Sequence, residues 1–143
     1  MRILRLWIKA SGSGGWAFIA EEGGRVLHES NGVADLDARG ADDLQAVIEA
    51  LVFAQGYPRR RTVQLCSDSK YIVDGVNTWL PLWLRVGWQR RGRPINNLAR
   101  WQRIATLSEG LPMRPVRWTR GRTGAEFKLR AARLAARGGR RAS

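Results

Sequence analysis

A chain of 143 residues, 44% hydrophobic and 26% charged, has the size and balance of one compact domain with a single core, so no second domain is needed. Its 25 Lys and Arg against 12 Asp and Glu give a net charge of +13, mostly from arginine, which points to a polyanionic partner held through planar, bidentate phosphate contacts. The lone cysteine, Cys66, excludes a disulfide framework or a cysteine-based metal site within one chain. No apolar run approaches a membrane span, and the short apolar start stops at Lys9, so a soluble, cytoplasmic protein without membrane contact is expected.

In chain order, residues 3–8 have strand character, 12–15 form a glycine-rich turn, and 16–20 and 25–32 read as two more strands joined by Gly23-Gly24. This is an antiparallel opening meander. From 42 to 55 the period changes, because Leu44, Val47, Ile48, Leu51 and Val52 recur at the spacing of one helical face, with Asp42 and Asp43 at the N-terminus favoured by the macrodipole. After Tyr57-Pro58 and the basic cluster Arg59, Arg60 and Arg61, a β-branched run over 62–67 predicts a central strand with Cys66 buried in it. Residues 69–79 predict a helix that Pro81 and Gly87 interrupt. Another spans 97–107 with Leu98, Trp101 and Ile104 inward, then a strand over 115–119, a loop over 121–124, and a last helix over 126–136 carrying Phe127, Ala131, Leu134 and Ala135 on one side. Residues 138–143 are expected to be a disordered basic tail beyond a domain covering 1–137. The order of elements implies an α/β sandwich.

The sharpest local motif is Leu65-Cys66-Ser67-Asp68-Ser69-Lys70-Tyr71-Ile72, a strand that delivers Asp68 onto the start of a helix. Open α/β sheets place ligands at such strand ends, although Asp68 would serve equally as a plain helix cap. Gly12-Ser13-Gly14-Gly15 precedes a strand and lacks a phosphate-binding lysine, so it reads as a tight turn, and His28 reads as a surface residue.

Taken together, Gly14-Gly15-Trp16-Ala17-Phe18-Ile19, the helix from Asp43 to Leu51, Ser67-Asp68-Ser69-Lys70-Tyr71, the stretches 79–88 and 94–102, and Trp118-Thr119-Arg120-Gly121 resemble the type 1 ribonuclease H family in order and spacing, over nearly the whole chain. The resemblance implies a mixed five-stranded sheet, an antiparallel meander followed by parallel strands, flanked by helices. It also implies a basic, tryptophan-rich protrusion over 79–97. Members of that family cut the RNA strand of RNA–DNA hybrids with four carboxylates, two magnesium ions and a mobile histidine.

Carried over by position, the family's first-strand aspartate falls on Lys9, its first-helix glutamate on Asp43 and its central aspartate on Asp68; the histidine falls on Arg122 and the final-helix aspartate on Ala132. Two-metal phosphoryl chemistry needs carboxylates that bridge both cations, which lysine cannot do. The expected arrangement is therefore a metal-free cluster in which the Lys9 ammonium neutralises Asp43 and Asp68 in the place of a cation. The plainer alternative has Lys9 pointing to solvent, Asp68 as a cap and Asp43 in a first turn. A third arrangement rebuilds a metal site through Asp42, Asp74 or Glu126.

For nucleic-acid contact the resemblance and the charge pattern select Arg85, Trp88, Arg90, Arg91 and Arg93 of the protrusion, with Lys70, Asn96, Arg120 and Arg122 around the former site. Trp79 and Trp83, four apart, are expected to pack, leaving Trp88 as the exposed contact. Lys128, Arg130 and Arg133 add charge on the final helix. The family's paired asparagines before the first helix fall on Arg39 and Gly40, which weakens the case for reading the RNA 2′-hydroxyl. The expectation is a catalytically inactive binding protein that grips RNA–DNA hybrid, dsDNA or dsRNA and needs no cofactor. Its rivals are an active, divergent ribonuclease H using Mg2+ or Mn2+, held by Asp43 and Asp68 if by anything here, and a protein-interaction or structural domain whose charge serves solubility.

Overall fold

The computed structural model describes residues 3–57, 62–90, 92–111, 113–117 and 125–142. Strands β1 (Ile3–Ala10), β2 (Gly15–Glu22) and β3 (Arg25–Val33) are followed by α1 (Ala41–Gly56), β4 (Thr62–Ser67), α2 (Lys70–Asp74), a π-helical segment (Gly75–Trp79), α3 (Leu80–Arg85), α4 (Leu98–Ser108), β5 (Met113–Arg117) and α5 (Ala125–Ala142). The five strands form one sheet in the order β3-β2-β1-β4-β5, with antiparallel pairing within the meander and parallel pairing of β1 with β4 and of β4 with β5. This is the mixed sheet expected from the sequence.

Alternation along β1 divides the core. Leu4, Leu6 and Ile8 face α1 and α4 in the larger cluster, whereas Trp7 faces α5 with Ile19, Cys66, Phe127 and Ala131. Arg5 and Lys9 share the α5 side of the strand. Helix α1 buries Leu44, Val47, Ile48 and Leu51 against the sheet. Val52, expected on that face, is 45% exposed, because it falls on the strip of Gln45 and Glu49, whose side chains bond each other at 3.1 Å.

Pro81 does not interrupt the second helical stretch as expected. The path runs on from α2 through the π segment into α3, with the N–H of Leu80 donating to the carbonyl of Gly75. A ladder that steps from i−4 to i−5 leaves a carbonyl without a donor in any case, so the N–H that proline lacks is tolerated there. The π segment starts at Gly75 because the Trp101 ring occupies the space of a side chain: a Cβ would lie 2.1 Å from it.

Two further expectations are corrected. Leu98 is exposed and Asn97 is buried, since Asn97 adopts the left-handed conformation (φ 58°) and turns inward ahead of α4 to reach Arg39 and Tyr71. The basic tail is helical as far as Ala142 rather than disordered, so the domain does not stop at residue 137. Gly138 explains this: it is buried, and a Cβ there would stand 2.3 Å from the carbonyl oxygen of Gly32 and 2.9 Å from the Cα of Gly15, an approach only glycine allows. Strand β5 begins and ends two residues earlier than expected, and the loop over 121–124 lies outside the described residues.

Candidate functional site

Because β1 and β4 are parallel neighbours with Ile8 opposite Ser67, their carboxyl ends bring Lys9 and Asp68 together. The Lys9 Nζ donates to Asp68 Oδ2 at 2.5 Å, forming an ion pair that is still partly solvated, with side chains 30% and 42% exposed. Asp68 is not the helix cap; that role falls to Ser69, whose Oγ accepts from the N–H of Ile72 at 3.4 Å. The cap thus leaves the Asp68 carboxylate to Lys9, against the solvent-pointing alternative.

Asp43 sits in the first turn of α1 beside this pair. Burial, then the charges of Asp42 and Asp68, push its carboxyl up to about 6, opposed by a hydrogen bond from the Ser69 hydroxyl at 3.4 Å and by the Lys9 ammonium. One hydroxyl therefore caps α2 and touches α1. Asp42 has a different task. It is buried, and its Oδ2 accepts from the N–H groups of Gly12 (2.9 Å) and Gly14 (3.2 Å) while Oδ1 accepts from the N–H of Asp43 at 3.0 Å. The carboxylate ties the β1–β2 hairpin to α1. Sequence reasoning missed this, although Asp42 stands four residues before the buried Ala46 on the strip that continues through Ala50 and Ala54.

Next to Asp43 opens a cleft of about 800 Å3, with Gly12, Leu36, Asp37, Arg39, Tyr71 and Asn96 among its lining residues. Its walls are fixed from behind. Asn97 donates to the carbonyl of Arg39 (2.9 Å) and to the Tyr71 hydroxyl (3.2 Å), Trp101 Nε1 donates to the same hydroxyl (3.0 Å), and Arg100 pairs with Asp37 at 2.8 Å. None of these supporting bonds was legible as a motif.

The RNase H family description matches residues 7–139. The chain belongs to the ribonuclease H family. It is 35% identical over 129 residues to the ribonuclease H of Thiobacillus denitrificans, covering 89% of this chain and 83% of that one, and 36% identical over 118 residues to the ribonuclease H of a Cyanothece species, covering 79% and 71%. Its fold is similar to that of LC9-RNase H1, described as a type 1 RNase H with the type 2 active-site motif, with a TM-score of 0.79, 23% identity and coverage of 100% of this chain and 74% of that one.

Within the ribonuclease H fold, the residues present do not suit a two-metal centre. Lys9 holds Asp68, Asp42 is committed to the hairpin amides, and Ala132, half-buried on α5, has no ligating atom in its side chain. Among the described residues no group of three or more His, Cys, Asp or Glu side chains is placed to hold a metal ion. Of the acids considered for a relocated site, Asp74 pairs with Lys70 at 3.7 Å, and the Glu126 side chain lies outside the described residues.

The protrusion also differs from expectation. Trp83 is buried, edge-on to Trp79 at 5.8 Å and to Trp101 at 5.6 Å. Trp79 is the open ring, 45% exposed, whereas Trp88 is half-buried against Trp83 at 6.1 Å. The reversal follows from the backbone at Trp88, which has φ 65° and returns its N–H to the carbonyl of Trp83 at 2.8 Å, folding the ring back over the helix. Arg85, Arg90, Arg93, Lys70 and Asn96 are exposed, and Asn96 lines the cleft. Arg91, Arg120 and Arg122 lie outside the described residues.

Proposed function

We propose that this ribonuclease H-family protein binds duplex nucleic acid, RNA–DNA hybrid included, through arginine-led phosphate contacts and does not cut it. The observation that carries the reading is the Lys9–Asp68 ion pair, an ammonium in contact with the carboxylate that the family uses for metal. An ammonium there repels a divalent cation and removes the charge that would attract one. Phosphates need no bridging cation when guanidinium groups meet them directly, and Arg85, Arg90 and Arg93 are exposed for that purpose. The loss of metal chemistry and the retention of charge thus lead to the same activity: grip without hydrolysis.

A second reading, an active divergent ribonuclease H, is favoured by the 35% identity to a curated enzyme of that name across 83% of its length. The two separate on a labelled hybrid incubated with the protein under saturating binding, with Mg2+ or Mn2+. The binding reading expects a shifted but intact hybrid. RNA-strand cleavage that disappears in Asp68→Asn, purified identically, would establish the enzyme instead. Binding itself is read from a gel shift across hybrid, dsDNA and dsRNA; absence of any shift at low salt would remove the nucleic-acid claim.

A further inference from the structure

Helix α5 presents two unlike faces. Phe127, Ala131, Ala135 and Gly138 are buried beneath the sheet, whereas Arg130, Arg133 and Arg137 are exposed. Their spacing of three and four residues puts the arginines in one row along the helix, about 10 Å long at 1.5 Å per residue. Arg130 is anchored by Glu29 at 2.5 Å; among the described residues Arg133 and Arg137 form no ion pair. The row lies on the opposite side of the sheet from α1 and α4, and so away from the Asp43 cleft. Its C-terminal end still reaches the sheet edge where β1 delivers Lys9, since Gly138 abuts Gly15 and Gly15 adjoins the residue that pairs with Ala10.

We infer that this arginine row is a second polyanion-binding surface, occupied by the phosphodiester backbone of nucleic acid that continues beyond the cleft. The inference rests on the nucleic-acid reading above. Compensation of the helix dipole does not explain the row, because that effect is confined to the last turn, and Arg130 and Arg133 lie well before Ala142. An anionic membrane is the poorer fit: surface binding by a helix needs an apolar face to insert, and the apolar face of α5 is already under the sheet. Guanidinium groups set one helical turn apart, with the third fixed by Glu29, instead suit successive phosphates of one strand.

The test is fluorescence anisotropy on a labelled hybrid duplex of about 30 base pairs, titrated over a range of salt, with the intact protein and with R133A/R137A. Arg130 is kept so that its pair with Glu29 survives, and circular dichroism melting verifies that the variant folds like the parent. Removing two phosphate contacts should flatten the plot of log affinity against log salt by about 2 and weaken low-salt binding about tenfold or more. An unchanged slope and affinity in a protein that binds the duplex would overturn the inference and leave the cleft reading standing. No duplex binding by the parent would overturn both. Loss of binding to phosphatidylserine vesicles, with duplex binding untouched, would assign the row to lipid and refute the proposal.

Discussion

Replacing Asp43 by Asn removes a charge that the fold disfavours. The Asp43 carboxyl titrates at about 6 in the folded chain against 3.8 for the unperturbed group, with burial as the largest cause. A group whose pKa is raised by folding stabilises the native state most below its unfolded pKa, and that contribution is lost as pH rises through the folded value. Two units correspond to about 3 kcal/mol at most, and the cleft beside Asp43 admits solvent, so about 1–3 kcal/mol is expected. D43N has nothing to titrate, keeps a side-chain oxygen for the Ser69 hydroxyl, and should exceed the parent in stability by that amount at about pH 8, with the gap closing towards pH 4. Urea unfolding of both proteins across this range measures it. A variant no more stable than the parent at high pH, or a gap that grows on acidification, would refute the reasoning.

Three other perturbations probe the surroundings. K9M removes the one cation lowering the Asp43 pKa, so its titration midpoint, followed by carboxyl NMR shifts, should move above about 6, while the exposed ion pair itself should contribute less than about 1 kcal/mol to stability. D42A strands the amides of Gly12 and Gly14 and should destabilise the chain by about 2–3 kcal/mol in urea unfolding; a loss within error would show that the hairpin is held by other means. G138A would ordinarily strengthen a helix by about 1 kcal/mol, but the carbonyl of Gly32 stands in the way, so thermal unfolding should show the opposite sign.

Much of this molecule was legible because its signals are periodic. Leu44, Val47, Ile48 and Leu51 fix the buried face of α1, and alternation along β1 separates Leu6 and Ile8 from Trp7 and Lys9. The meeting of Lys9 with Asp68 was legible for a different reason: parallel strands with aligned carboxyl ends leave little choice about which residues meet. What escaped depends on single long-range contacts. Gly138 looks like a helix breaker until Gly32 and Gly15 are placed against it, Pro81 looks like a stop until Gly75 yields to Trp101, and Trp88 looks open until its backbone turns left-handed. Asp42 and Asp43 are neighbours of identical chemistry, and only the position of the Gly12–Gly14 amides decides which is structural.

The central claim, that the Lys9 ammonium stands where a cation would, is tested most directly by calorimetric titration of Mn2+ into the protein, alone and with hybrid bound, in parallel with D68N. The account predicts no uptake that depends on Asp68 in either condition. Stoichiometric Mn2+ binding that D68N abolishes would contradict it.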